Sequence, residues 1–226
     1  MDHMSFSWQI VALFFVSYLI GGIPFGLIVS RIKGIDIRRH GSGNYGATNV
    51  GRVLGRKWGV LVLSLDAIKG GLTSVGAMMF LQSGHHHHEI EQVQRDFIWL
   101  GTGLCCVIGN IAPAYLRFKG GKGVATTLGV ILGIWPYLTL PALATTLVWT
   151  VVVMLSRYVS LGSIVAAGVL PLAFLLISRL KEWPLKDHYP LLGLTLVVGA
   201  MILVRHRSNI GRLLAGTENR IGEAKS

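Results

Sequence analysis

Charged residues are scarce in this 226-residue chain, where Asp, Glu, Lys and Arg together make up 14% and only ten residues are acidic. A typical soluble domain carries about a quarter charged residues, so this composition excludes an ordinary soluble protein. Hydrophobic residues account for 52% of the chain, and the mean hydropathy is +0.59. The sequence therefore predicts one membrane-embedded domain over residues 1–226.

Cysteine is almost absent, since the chain has only Cys105 and Cys106. Adjacent positions of a helix diverge around its axis, so these two thiols are not expected to bridge to each other. They lie within an apolar run and are interpreted as packing residues, which leaves no plausible nucleophilic cysteine. Clustered aspartates for a metal are also missing, because Asp66 stands alone in its apolar segment. We expect neither a metal nor another cofactor.

Long apolar runs dominate what remains. Runs of membrane-spanning length cover residues 8–30, 58–81, 97–116, 124–156, 159–178 and 189–204. The run over residues 124–156 exceeds one crossing, and Pro136 and Pro141 divide it into two predicted helices joined by a tight turn. A kink is expected near Pro24, and the first run is interpreted as a membrane helix because its basic residues follow it. The sequence predicts an all-α polytopic membrane protein with seven transmembrane helices.

Lysine and arginine are distributed unevenly between the alternate loops of this topology. Sixteen of the 21 lie on one side, four lie on the other, and Lys69 lies inside a predicted span. Because cytoplasmic loops carry the excess, we expect the N-terminus outside and the C-terminus in the cytoplasm. The net charge of +11 alone is compatible with attraction to anionic membrane lipids, and no nucleic acid is expected as a partner.

Three polar, glycine-bearing segments fall on the predicted cytoplasmic face: residues 41–52, 118–127 and 206–218. Glycines let backbone N–H groups approach an anion, and lysine and arginine supply positive charge, so these segments predict a pocket for phosphorylated substrates. Candidate phosphate- and substrate-binding residues are Gly43, Asn44, Thr48, Asn49, Lys119, Gly120, Gly121, Lys122 and Gly123. The second of these, residues 118–127, is called the glycine–lysine segment below. It is not a Walker loop, because Gly123 follows Lys122 where that motif has Ser or Thr.

Two ionisable features allow more than one interpretation. Asp66 and Lys69 share a helix face inside a predicted span, and they form either a self-satisfying ion pair or part of the active site. The run His85 to His88 lacks the spaced geometry of a metal site, and we interpret it as a pH-sensitive or merely tolerated low-complexity insert.

Three motifs carry a resemblance to a known family. The segments GSGNYGATNVGR at residues 41–52, FKGGKGVAT at 118–126 and HRSNIGRLLAGTE at 206–218 resemble the cytoplasmic motifs of the bacterial acyl-phosphate:glycerol-3-phosphate acyltransferases. The early GIPFG segment at 22–26 and the stretch from Asp66 to Lys69 also resemble that family. The motifs occur in the family's order over nearly the whole chain.

This resemblance implies an enzyme of the bacterial inner membrane that transfers an acyl chain from acyl phosphate to the first hydroxyl of glycerol 3-phosphate, giving lysophosphatidic acid and phosphate. By motif position it implies that Ser42, Arg52, His206 and Asn209 serve the reaction and that Glu218 supports structure. One departure is Asn110, which stands where the family usually has histidine. Asparagine donates and accepts hydrogen bonds but cannot be an imidazole base.

Two mechanistic alternatives stay open at this point. The proton acceptor is either His206, whose reference pKa near 6.5 suits a base, or a phosphate oxygen of a bound substrate. The alternative function is a transporter of phosphorylated solutes using the same basic residues, although its expected related halves and midplane broken helices are not evident.

Overall fold

The structure, a computed structural model, describes residues 3–83 and 91–221, without the side chains of residues 3–6 and 187. Every regular element in these ranges is helical, which confirms the all-α prediction. The chain divides into two compact units, Met1–Ile134 and Trp135–Ser226. The run His85 to His88 lies outside the described residues.

The first unit contains six described α-helices. They are α1 His3–Gly22, α2 Phe25–Ile32, α3 Ala47–Leu54, α4 Arg56–Gln82, α5 Gln92–Ile111 and α6 Val124–Leu132. Helix α1 packs along α5, and α4 packs against α3, α5 and α6. The predicted kink is present, because α1 ends at Gly22 and α2 begins directly after Pro24, whose ring cannot donate a helical hydrogen bond.

A small apolar cluster fixes the polar segment that follows α2. Leu27, Ile37, Val50 and Val62 are buried together, and Trp58 packs against them. Helix α3 was not expected from the sequence, which predicted only a polar, glycine-bearing segment over residues 41–52. Its apolar face is buried in this cluster, so tertiary packing stabilises a helix of eight residues that would be marginal in isolation.

The second unit contains four described α-helices. They are α7 Thr139–Ser156, α8 Val159–Leu180, α9 Leu185–Arg205 and α10 Arg207–Leu214. Helix α8 packs against both α7 and α9, and α10 packs against α8 and α9. Phe174, Leu191 and Val198 are fully or almost fully buried in this unit. The last predicted helix thus continues past a bend at His206 into a second short helix.

Six helical segments of the described ranges are long and apolar enough to cross a membrane. They are Ser7–Ile32, Arg56–Gln82, Gln92–Leu116, Thr139–Ser156, Val159–Leu180 and His188–Arg205. The predicted division of residues 124–156 into two helices is confirmed, but its first piece, α6, has nine residues. At 1.5 Å per residue α6 is about 14 Å long, against a hydrocarbon core of about 30 Å. Seven full crossings therefore stay a prediction.

Large apolar side chains cover much of the outer surface. Met154, Leu155 and Leu180 expose 75%, 84% and 72% of their surface. Water strongly disfavours contiguous apolar exposure of this kind, whereas hydrocarbon does not. The exposed apolar surface and the six long helices together support a membrane-embedded protein.

Candidate active site

Asn49 organises the first polar segment, residues 41–52. Its side chain is 2% exposed, and its Oδ1 accepts from the Ser42 backbone N–H at 2.8 Å and from Arg52 Nη1 at 3.5 Å. Its Nδ2 donates to the His40 carbonyl at 3.0 Å. The Asn49 amide is therefore committed to shaping the segment and to orienting Arg52.

The side chains around Asn49 face outward. Ser42, Thr48 and Arg52 are exposed, and Gly41 and Gly43 have positive φ values of 60° and 70°, which a residue with a Cβ adopts at a cost. Asn44 Oδ1 accepts from the Gly46 backbone N–H at 2.7 Å, which is a typical Asx turn. The fold thus presents the Ser42 hydroxyl and the Arg52 guanidinium on a backbone that the buried amide of Asn49 and the half-buried amide of Asn44 hold in shape.

The glycine–lysine segment is shaped by close backbone approach. The Gly121 N–H donates to the Asn110 carbonyl at 2.9 Å, and a Cβ at Gly120 would overlap the carbonyls of Asn110 and Ile111. Gly123 has φ +79° and directly precedes α6. The first N–H groups of a helix have no partner within that helix, so the start of α6 favours an anion. Lys119 is exposed and Lys122 is half-buried.

Tyr45 joins the first two polar segments. It is 6% exposed, and its hydroxyl donates at 3.4 Å to the same Asn110 carbonyl that accepts from Gly121. Tyr45 was not among the residues predicted from the sequence, although a tyrosine inside a run of Gly, Asn and Thr was a usable signal. Asn110 itself is 5% exposed and holds both segments through its backbone oxygen, a contact that does not depend on its side chain.

The predicted pair of Asp66 and Lys69 forms inside α4. Lys69 Nζ lies 2.7 Å from Asp66 Oδ1, and both side chains are almost completely buried. Lys69 Nζ also donates to the Ile23 carbonyl at 2.9 Å, in the break between α1 and α2. The ion pair is therefore not closed on itself, since it reaches a second element of the first unit.

Glu218 organises the third polar segment, in the second unit. Its Oε1 accepts from Asn209 Nδ2 at 2.7 Å and from Ser160 Oγ at 2.8 Å, and its Oε2 accepts from Arg212 Nε at 2.7 Å. Burial alone raises the pKa of Glu218, but these three hydrogen bonds and the Arg212 charge outweigh it, so that the pKa lies below its usual value. Glu218 is ionised at neutral pH and orients Asn209.

His206 lies buried at the bend between α9 and α10, where it is 2% exposed. Its Nδ1 lies 2.8 Å from the Ile202 carbonyl. A carbonyl only accepts, so Nδ1 carries the proton in this contact and Nε2 holds the lone pair when the ring is neutral. The fold thus selects the tautomer whose Nε2 can accept a proton.

The described residues contain no group of three His, Cys, Asp or Glu side chains that could hold a metal ion. Within the first unit the structure brings together Ser42, Asn49 and Arg52, and it links Tyr45 to the glycine–lysine segment. Within the second unit it brings Asn209, Arg212 and Glu218 together, next to the bend that carries His206. The individual catalytic and binding roles of these residues stay predictions.

Comparison with known proteins identifies the family. A family model described as glycerol-3-phosphate acyltransferase matches residues 11–216. A glycerol-3-phosphate acyltransferase of Trichlorobacter lovleyi is 42% identical over 205 residues, covering 90% of this chain and 93% of the relative. One of Aquifex aeolicus is 41% identical over 213 residues, covering 92% and 98%.

Solved structures agree with the sequence relatives. The crystal structure of PlsY (YgiH), an integral membrane glycerol 3-phosphate acyltransferase, in its glycerol 3-phosphate form is 40% identical with a TM-score of 0.76, covering 95% of this chain and 96% of that one. Its lysophosphatidic acid form has a TM-score of 0.75 and the same coverage. The sequence and structural matches both extend over nearly the whole chain, which therefore belongs to the glycerol-3-phosphate acyltransferase family.

Proposed function

We propose that this protein transfers an acyl chain from acyl phosphate to the sn-1 hydroxyl of glycerol 3-phosphate, giving lysophosphatidic acid and inorganic phosphate. The observation that carries the proposal is the match at 40% and 39% identity to PlsY in forms containing the acceptor substrate and the acylated product. The acyl-phosphate donor is supported by the resemblance of the three polar motifs. Membrane lipids surround the enzyme and no cofactor is required.

The reaction needs little covalent assistance from the protein. The hydroxyl oxygen of glycerol 3-phosphate attacks the carbonyl carbon of acyl phosphate, a new C–O ester bond forms, and the bond from that carbon to the phosphate oxygen breaks. The hydroxyl proton leaves with this step and phosphate departs. Because acyl phosphate is already activated, direct attack is favoured over an acyl-enzyme, and the main task is to align two anions that repel each other.

The basic and amide groups of the motifs fit that task. We assign Arg52, Lys119 and Lys122 to the phosphate groups, because guanidinium and ammonium donors form charge-assisted hydrogen bonds to phosphate oxygens. Ser42 and the backbone N–H groups of the glycine–lysine segment are suited to the charge that develops on the carbonyl oxygen. These assignments follow from side-chain chemistry and from the exposed or helix-terminal positions described above.

Two groups are candidates for accepting the proton of the attacking hydroxyl. His206 Nε2 is one, supported by the tautomer that the Ile202 carbonyl selects. A phosphate oxygen of a bound substrate is the other. The rate of His206→Gln across pH separates them: a large loss with a flattened profile supports His206, whereas a retained rate with an unchanged profile overturns it.

We further propose seven crossings with the N-terminus outside and the C-terminus in the cytoplasm. The fourth crossing would consist of α6 together with residues 133–138, a short segment whose polar backbone must be covered by protein. The support is the charge count, because seven crossings place sixteen lysines and arginines and all three motifs on one side. The location is then the bacterial inner membrane with the active residues at the cytoplasmic face, and both compact units make up one acyltransferase domain.

The decisive assay uses purified protein in lipid vesicles with acyl phosphate and labelled glycerol 3-phosphate, without added metal. Labelled lysophosphatidic acid is expected, and none is expected when acyl-CoA replaces acyl phosphate. The matched pair Arg52→Ala and Arg56→Ala compares two exposed arginines at neighbouring helices, and activity should fall only for Arg52→Ala. An absence of product from the unmodified protein contradicts the enzyme proposal and favours the transporter.

A further inference from the structure

The break between α1 and α2 leaves the Ile23 carbonyl without a regular helical hydrogen bond inside an apolar segment. The candidate span Ser7–Ile32 contains it, and Pro24 has no N–H to continue the helical ladder. A carbonyl at such a position has no water to bind in hydrocarbon, so it requires a donor from the protein. The Ile23 carbonyl accepts from the Phe25 N–H at 3.2 Å and from Lys69 Nζ at 2.9 Å.

Lys69 is held in place for this contact. It is 3% exposed, its ammonium pairs with Asp66, and it lies 5.5 Å from the centre of the Phe25 ring. Three groups of different kinds, a carboxylate, a carbonyl and an aromatic face, therefore surround one ammonium. The carbonyl of Ile23 and the ring of Phe25 both lie at the helix break. An ion pair that only neutralised itself would need neither of these contacts.

The first turn of α2, directly after the break, touches the first polar segment. A Cβ at Gly26 would overlap the backbone carbonyl of Tyr45 and would lie 3.4 Å from Val50 Cγ2. Tyr45 in turn donates to the Asn110 carbonyl that holds Gly121. A continuous series of contacts thus runs from Lys69 through the break to both glycine-rich segments of the first unit.

We propose that Lys69 is a positioning residue for the acyl transfer, which it serves by fixing the helix break on which residues 41–52 and 118–123 are seated. The inference rests on the proposed function and adds to it a residue that touches neither substrate. If the pair with Asp66 only satisfied itself, removing both charges together would leave the polar segments unchanged. If Lys69 positions the break, the Ile23 carbonyl needs its donor even when no charge is left unpaired.

The test compares two variants with one control. Asp66→Asn with Lys69→Met removes both charges and the donor to Ile23, whereas Asp66→Asn alone keeps that donor. Thr102→Val is the control, because Thr102 is equally buried in the first unit but donates to the Ile98 carbonyl of its own helix. The measurements are kcat and KM for glycerol 3-phosphate, and amide hydrogen exchange of peptides covering residues 41–52, 118–123 and 159–180.

For the double variant we expect kcat/KM to fall about 100-fold, as small displacements of positioned groups do, with amide exchange about tenfold faster in the two polar segments. Exchange over residues 159–180 should stay unchanged. Thr102→Val should keep kcat/KM within about threefold, because it leaves Lys69 untouched. Asp66→Asn should lose about tenfold at most, because the replacing amide still offers an acceptor oxygen to Lys69, which keeps its contact with Ile23.

Two results overturn the inference. The first is a double variant whose kcat/KM and exchange match those of Thr102→Val. The second is Asp66→Asn with kcat/KM about 100-fold or more below that of the unmodified protein although Lys69 keeps its contact with Ile23, and this arm can be read even if the double variant does not fold. If the unmodified protein forms no lysophosphatidic acid, the proposed function fails, while the exchange data still decide whether Lys69 positions the two segments.

Discussion

The first and third polar segments are held by opposite means. In residues 41–52 a neutral amide, Asn49, bonds the backbone of its own loop and one guanidinium. In residues 206–218 a carboxylate, Glu218, binds three side chains from different positions. The first arrangement is insensitive to pH and depends on the shape of one amide, whereas the second depends on a charge. Substitutions that change the shape of the Asn49 amide should therefore affect the first segment, and substitutions that remove the Glu218 charge should affect the third.

The largest effect is expected from Asn49→Leu. Leucine nearly conserves volume but leaves the Ser42 N–H and the His40 carbonyl without the amide that now satisfies them. We expect kcat/KM to fall about 100-fold or more, since Arg52 also loses its orienting contact. Asn44→Ala, which removes one Asx-turn bond, is the milder comparison, and equal losses in the two variants would refute a central role for Asn49.

Gly120→Ala tests whether backbone approach shapes the glycine–lysine segment. The added Cβ overlaps two carbonyls, so the segment must shift and the KM for glycerol 3-phosphate should rise about tenfold or more. Gly76→Ala in α4 is the matched control, because its Cβ would meet nothing within 4 Å. Steady-state kinetics of both variants decide the point, and an unchanged KM for Gly120→Ala would show that the close approach is dispensable.

Glu218→Gln tests the charge in the third segment. Glutamine keeps an acceptor oxygen but weakens the bonds from Arg212 and Asn209, so kcat/KM should fall about tenfold, the equivalent of one hydrogen bond to a charged group. The control is Glu182→Gln at an exposed glutamate of the same unit. A loss in Glu182→Gln as large as in Glu218→Gln would refute a specific role.

The pH dependence of stability gives a smaller, directional effect. The pKa of Glu218 is lowered from its ordinary value of 4.5, so the carboxylate stabilises the fold above that pH and this stabilisation is lost as pH falls through the lowered pKa. The Tm difference between the unmodified protein and Glu218→Gln should therefore be constant from pH 7 to 5 and shrink as the pH falls below 4.5, reaching zero once the pH lies below the lowered pKa. A difference that does not shrink below pH 4.5 would contradict a contribution from the charge.

Asp36→Asn should have the smallest effect. Hydrogen bonding from Arg38 holds the pKa of Asp36 at about 2, but the ion pair is exposed to water, and such pairs contribute little. We expect kcat/KM and Tm to match the unmodified protein within error at neutral pH. A clear loss of activity would show that the short 3-10 helix Ile37–Arg39, which Asp36 caps, supports residues 41–52 through a charge as well as through Asn49.

Sequence reasoning succeeded where the signal is local. Long apolar runs predicted the six long helices, Pro24 predicted the break after α1, and Pro136 predicted the division within residues 124–156. Pro141, which was also expected to divide that run, lies in the first turn of α7, where proline is tolerated. Two features were missed. Helix α3 depends on burial against α4, and the role of Tyr45 depends on a partner 65 positions away. Neither of these tertiary contacts produces a periodic pattern in the sequence.

The residues alone are enough to predict a helical membrane protein with three polar, glycine-bearing motifs, because hydrophobicity and backbone freedom depend on neighbouring residues in the chain. The side chains that hold those motifs in place become visible only in the folded protein. The Asn49 amide turns inward, Lys69 reaches the Ile23 carbonyl, and Glu218 orients Asn209. Contacts of this kind join positions up to tens of residues apart, and they exist only once packing has brought desolvated donors within reach of acceptors.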